Sequence, residues 1–215
     1  MATLTITGRV QVDGQPLSGA DVLVFSETAR RLAGAGQTGL DGGFTVSAEG
    51  EEPLVLLAKV RGPACSLEAL PLSGSGPVEI DVDTSEGFAE LTGSAEGSVD
   101  PAFVVRIDPV RVEGVPDWLI TFAKQKREGV FEGSYCEIPL TGGAFRIRLR
   151  RGDYRVRGDL WVDGPVRKDG TTPATLVVKG VRLADGREAP GDPSGGFLVS
   201  VEGDTSVQLT TGPEG

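Results

Sequence analysis

Arg146, Arg148, Arg150, Arg155 and Arg157 are the residues whose type and spacing best support chemistry, and that chemistry is recognition of anions. They recur at every second position on either side of Gly152-Asp153. Read as a two-residue hairpin loop, Gly152-Asp153 sets Arg151 opposite Tyr154, Arg150 opposite Arg155 and Arg148 opposite Arg157. Arg146 then faces Asp159, and Ala144 faces Trp161. Side chains alternate along a strand, so one face would carry Arg146, Arg148, Arg150, Arg155, Arg157 and Trp161. The other would carry Phe145, Ile147, Leu149, Tyr154, Val156, Leu160 and Val162, and belongs to a core. Directly opposed arginines repel by a few tenths of a kcal/mol or more, roughly. Two readings stay open: the face is neutralised by solvent and carboxylates of the same chain, or it docks an acidic partner.

Other chemistries find less support. The chain has no histidine, which removes histidine general bases, Ser-His-Asp triads and the commonest metal ligand. Cys65 and Cys136, its two cysteines, do not by themselves make a structural zinc site; buried free thiols are the expectation, with a disulfide as the alternative. No phosphate-binding glycine loop opens a helix. Asp81-x-Asp83-x-x-Glu86 and the stretch Asp185 to Asp192 are acidic clusters, but neither matches a calcium-binding EF-hand loop, and solvated surface charge accounts for both. Arg151-Gly152-Asp153 spells an integrin-binding tripeptide, and the simpler reading is a turn made from Gly and Asp. No cofactor and no metal site is expected.

The elements that must position these residues are strands. Leu4, Ile6, Gly8, Val10 and Val12 alternate with Thr3, Thr5, Thr7, Arg9 and Gln11, and Asp13-Gly14 supplies a turn. Asp21 to Phe25 reads as a second strand, Gly43 to Val46 as another. Leu54 to Val60 is continuously apolar, as suits a central buried strand. Val78, Ile80 and Val82 alternate with Glu79, Asp81 and Asp83, and Thr84 to Gly87 is a polar break. Beyond it, Phe103 to Ile107, Val110 to Val112, Trp118 to Phe122, Tyr135 to Leu140, Thr175 to Leu183 and Phe197 to Leu209 also read as strands. Only Phe122 to Glu128 tolerates a helical turn. Gly42-Gly43-Phe44 recurs as Gly142-Gly143-Ala144-Phe145 with one residue inserted, a faint internal echo. The expectation is all-β: a β-sandwich over 1–84 and a second β-rich domain over 85–215, for which a degenerate sandwich is one reading.

Gly8 and Val10, Pro16 to Val24, and Thr38, Gly43, Phe44 and Val46 together resemble the carboxypeptidase regulatory-like family. The resemblance covers residues 3 to 83 and implies a transthyretin-like, Ig-like sandwich. It implies no reaction, since the family serves as an accessory or interaction module in many hosts.

Net charge is −10 over 215 residues, which disfavours nucleic acid as a partner. The N-terminus has no basic or apolar leader segment and no apolar run is long enough to span a bilayer, so a cytoplasmic chain without membrane insertion is expected, release by a non-classical route aside. The function that fits is a non-catalytic structural or adaptor protein making protein–protein contacts, for example as an accessory subunit of a larger, phage-tail-like assembly. A carbohydrate- or other ligand-binding module is the alternative, with Trp118, Trp161 and Tyr154 as its aromatic platform. A carboxylate-dependent enzyme fits least.

Overall fold

A computed structural model describes residues 3–50, 53–62, 64–73, 76–97, 103–124, 136–160 and 176–213. The chain divides into two compact units, 1–88 with 112–132, and 89–111 with 133–215. Both are β-rich, as the alternation predicts.

The first unit holds β1 (Thr3–Val12), β2 (Gln15–Pro16), β3 (Asp21–Ser26), β4 (Arg31–Gln37), β5 (Gly43–Glu49), β6 (Leu54–Val60), β7 (Ala64–Leu72) and β8 (Val78–Val82). One sheet centres on β1, which pairs antiparallel with β2 and β5 and parallel with β8. The other runs β7-β6-β3-β4. The Asp13-Gly14 turn closes a two-residue hairpin between Val12 and Gln15. Both residues have positive φ, 50° and 72°, as a turn matching the strand twist requires. The facing sides of the two sheets bury Ile6, Val10, Val22, Val24, Phe44, Val46, Leu56, Val60, Ile80 and Val82. Leu4, which the alternation sets on the same strand face as Ile6 and Val10, is half-buried and packs against that cluster. Thr38 locks the loop after β2: its hydroxyl donates to the Leu17 carbonyl at 2.6 Å and accepts from the Ala20 amide at 2.9 Å.

Trp118, Ile120 and Phe122 lie not on a strand but on a helix, α1 (Asp117–Lys124). Pro116 explains the difference. Its carbonyl accepts from the amides of Leu119 and Ile120, starting a helical turn, and Asp117 supplies the acidic first residue that a helix N-terminus favours. In so short a run, apolar residues at alternate positions satisfy a helical face as well as a strand face. Trp118 and Phe122, one helical turn apart, meet the ring of Phe25 at 6.0 and 5.6 Å between centroids.

The second unit holds β9 (Phe88–Ala95), β10 (Phe103–Val112), β11 (Cys136–Pro139), β12 (Ala144–Arg150), β13 (Gly152–Leu160), β14 (Leu176–Leu183), β15 (Phe197–Val201) and β16 (Thr205–Pro213). Its strand order is β11-β10-β13-β14-β16-β9-β12, with β15 also on β13. This repeats the first unit. β9 lies between β12 and the parallel β16, as β1 lies between β5 and the parallel β8. The run β11-β10-β13-β15 corresponds to β4-β3-β6-β7, and β14 is an added strand joining β13 to β16.

The echo around Phe44 and Phe145 therefore marks equivalent strands, β5 and β12. The match extends to single hydrogen bonds. The Val10 amide donates to the Gly42 carbonyl at 2.9 Å, and the Ala95 amide donates to the Gly143 carbonyl at 2.8 Å. Two residues before each donor stands a glycine that faces the aromatic ring. A Cβ on Gly8 would lie 2.7 Å from the Phe44 ring, and one on Gly93 would lie 2.1 Å from the Phe145 ring. Each module thus seats a phenylalanine over the bare backbone of its first strand.

Candidate interaction surface

The parity of the arginines within each strand is as expected. On β12, Phe145, Ile147 and Leu149 are buried while Arg146 and Arg148 are exposed and Arg150 is half-buried. On β13, Tyr154 and Val156 are buried while Arg155 and Arg157 are half-buried. The hairpin that would join the two sets does not form. β12 and β13 are not hydrogen-bonded neighbours: β12 lies on β9, and β13 lies between β10 and β14. The reason is length. Only Arg151 separates the end of β12 from the start of β13, too short a link for a reversal between paired strands. Gly152 and Asp153 are strand residues, paired with Val201 and Ser200 of β15. Arg150 and Arg155 are consequently not cross-strand partners, nor are Arg148 and Arg157. Trp161 lies outside the described residues.

The corner between the strands is closed by Tyr154. This fully buried residue donates its hydroxyl to the Arg150 carbonyl four residues upstream. Sandwich folds use such a tyrosine where the chain passes between strands at a sheet corner.

The β13 arginines are neutralised inside their own unit. Arg157 Nε lies 2.9 Å from Asp108, whose side chain is 8% exposed, and Arg155 Nε lies 3.3 Å from Asp192, 10% exposed. Two hydrogen bonds donated by Ser194, chiefly from its backbone amide, hold the Asp192 carboxyl below its usual pKa, and Arg155 adds to them against the cost of burial. Asp153, of the Arg-Gly-Asp tripeptide, accepts from Arg111 at 2.7 Å and from Ser200 at 2.8 Å. The Arg111 bond is the main cause that lowers its pKa, opposed by partial burial. Its carboxylate is an internal fixture.

Arg146, on β12, reaches outward. Its side chain is 74% exposed, with Glu90 at 3.4 Å. Beside it an open hollow of about 590 Å³ is lined by Gly93, Ser94, Ile138, Pro139, Ala144 and Phe145 among others. The first unit has the equivalent hollow over Gly8 and Phe44, but Arg9, Gln37, Asp41 and Glu79 make its rim charged and polar. Reasoning from sequence missed both hollows, and Asp108 and Asp192 as arginine partners. The recurrence of an apolar residue, threonine and glycine as Ile6-Thr7-Gly8 and Leu91-Thr92-Gly93 was the available signal.

Cys65 and Cys136 are both buried and both disulfide-bonded, which corrects the free-thiol expectation. Asp83 binds Ser85, and Asp185 binds Arg187. Among the described residues no group of three or more His, Cys, Asp or Glu side chains is placed to hold a metal ion.

No family model and no curated protein matches the chain. Solved structures that it is similar to include the Bacillus anthracis TIE protein, at 11% identity and TM-score 0.29, over 96% of this chain and 33% of that one. A mutant of the shaft pilin SpaA from Lactobacillus rhamnosus GG aligns at 13% identity and TM-score 0.31, over 100% of this chain and 99% of that one. The tip fimbrial protein Mfa3 from Porphyromonas gingivalis aligns at 10% identity and TM-score 0.30, over 99% of each. At these scores the alignments carry no argument about function. The all-β class stands on the strands of the chain itself.

Proposed function

We propose that this chain is a non-catalytic structural protein of two transthyretin-like sandwich modules that works by contact with other proteins. The observation that carries the reading is the fate of its charged side chains. Arg155, Arg157 and Asp153, the groups best placed for chemistry, are committed to ion pairs and hydrogen bonds within the second unit. The repeated glycine–phenylalanine seat supports the same reading, because what the two modules share is packing. The carboxypeptidase regulatory-like pattern of residues 3 to 83 agrees with it.

The partner surface is the outward side of β12, with Arg146 and Arg148 foremost, and its partner is a protein with an acidic surface. The larger assembly in view is a phage-tail-like one, with this chain as an accessory subunit. Disulfides persist in oxidising compartments, so the bonded state of Cys65 and Cys136 favours work outside the cytoplasm over the location expected from sequence.

Affinity capture of the tagged chain from its native source, at low and high salt, tests this reading. A stoichiometric protein partner released by salt is expected, because exposed charge contacts are screened. A chain recovered alone at low salt contradicts it.

A further inference from the structure

Leu40 is the one large hydrophobic residue that stands exposed among the described residues, at 93%. It is held there by a rigid turn. The Gly39 amide donates to the Gly43 carbonyl at 2.8 Å, the Gly42 amide donates back to the Gly39 carbonyl at 3.0 Å, and Asp41 caps the Gly43 amide at 3.0 Å. A turn that fixes its own backbone has no need of a leucine at its tip. Aligning the modules through Gly42 and Gly143 sets Thr141 in the place of Leu40, so the knob belongs to the first module alone.

The hollow differs in the opposite sense. In the second module Ser94 stands where the first has Arg9, and Ile138 and Pro139 lie on its rim where the first has Gln37. Ala144 and Phe145 line it as well, together with the polar Thr92, Thr141 and Ser206. The less polar of the two hollows thus belongs to the second module. The charges match as well: exposed Asp41 follows the knob, and exposed Arg146 edges the hollow.

From this pairing we infer that Leu40 of one copy seats in the Phe145 hollow of a second copy, with Asp41 meeting Arg146. The inference rests on the structural-protein reading above and names a second copy of this chain as one of its partners. Knob and hollow are unlike surfaces, so the seat pairs residue i of one copy with residue j of the other, as a reciprocal two-fold dimer or a head-to-tail contact both do. One leucine makes a small contact, so association shows at high protein concentration.

Sedimentation velocity of the full chain over a micromolar-to-millimolar range reads this out. The weight-average sedimentation coefficient of the wild type should climb with concentration. Leu40→Asp removes the knob and Ala144→Arg blocks the hollow, and each alone should lose the climb. Leu40→Ser and Ser94→Arg repeat the two tests from different positions, and the near-UV circular dichroism of each variant should stay native. Mixed one to one, Leu40→Asp and Ala144→Arg retain one hollow and one knob, so the mixture should form a dimer and stop there. A concentration-independent wild type overturns the inference, as does a mixture that stays monomeric. If that wild type still captures a different protein at low salt, the structural-protein reading survives and only the self-contact is lost.

Discussion

The Tyr154 hydroxyl donates to the Arg150 carbonyl across the corner where β12 ends and β13 begins. The bond satisfies a main-chain acceptor at a point where the chain leaves one strand without pairing the next. It also anchors the parity of both strands, because Tyr154 is wholly buried and the arginines on either side of it must turn outward. Tyr154→Phe keeps the ring and deletes the donor. It should cost about 1–3 kcal/mol, the penalty for an unsatisfied buried polar group. Urea unfolding measures it, and an unchanged midpoint would mean that the corner is held by packing alone.

The seat of Phe145 on Gly93 gives a second expectation. Gly93→Ala forces a methyl group into the ring, since the contact would fall to 2.1 Å. Overpacking of this kind costs about 1–3 kcal/mol. Combining it with Phe145→Leu should return part of the loss, so the two changes should be non-additive in a double-mutant cycle. Strict additivity would separate the residues energetically.

Asp153 and Arg111 give a pH dependence. The folded pKa of Asp153 lies below its ordinary 3.8, chiefly through the Arg111 hydrogen bond. The unfolded chain therefore binds the proton more readily than the folded one. The stabilisation is fully present above the ordinary carboxylate pKa and is lost as pH falls below it through the folded value. Arg111→Gln should raise the Asp153 pKa towards the ordinary value, read by carboxyl NMR titration, and should flatten the acid limb of stability below about pH 4. An unmoved Asp153 titration would contradict the assignment.

Arg157 and Arg146 should behave differently on charge removal. Arg157→Met removes the ion pair to the Asp108 carboxylate, at 8% exposure, and breaking one side of a buried pair costs about 3–5 kcal/mol in fully desolvated cases. The half-exposed arginine places the expected loss at the low end of that range or below it. Arg146→Met, at 74% exposure, should stay within about 0.5 kcal/mol of wild type. Equal losses in the two urea titrations would erase the distinction between framework and surface arginines.

Much of the fold was legible because period-two alternation is a strong signal when one strand face is buried. β1, β5, β8 and β12 follow it almost residue by residue. The repeat in Gly42-Gly43-Phe44 and Gly142-Gly143-Ala144-Phe145 was visible for a physical reason: a ring over bare backbone demands glycine on the opposing strand. What failed was pairing. Gly152-Asp153 has hairpin chemistry, but local sequence does not encode that β13 finds β15 some forty residues later, because that choice is made by tertiary packing. The helix at Trp118 was hidden by its brevity. The partners Asp108 and Asp192 were invisible because ion pairs between distant segments leave no spacing to read.

On the function proposed above, the chain acts through surface contact, with β12 as the contact strand. The most direct test is recovery of the native partner by the tagged chain carrying Arg146→Glu and Arg148→Glu, at low salt and beside the wild type, with near-UV circular dichroism confirming the native fold. The partner should co-purify with the wild type and be lost from the doubly reversed chain. Recovery of the partner in equal yield by both would contradict it.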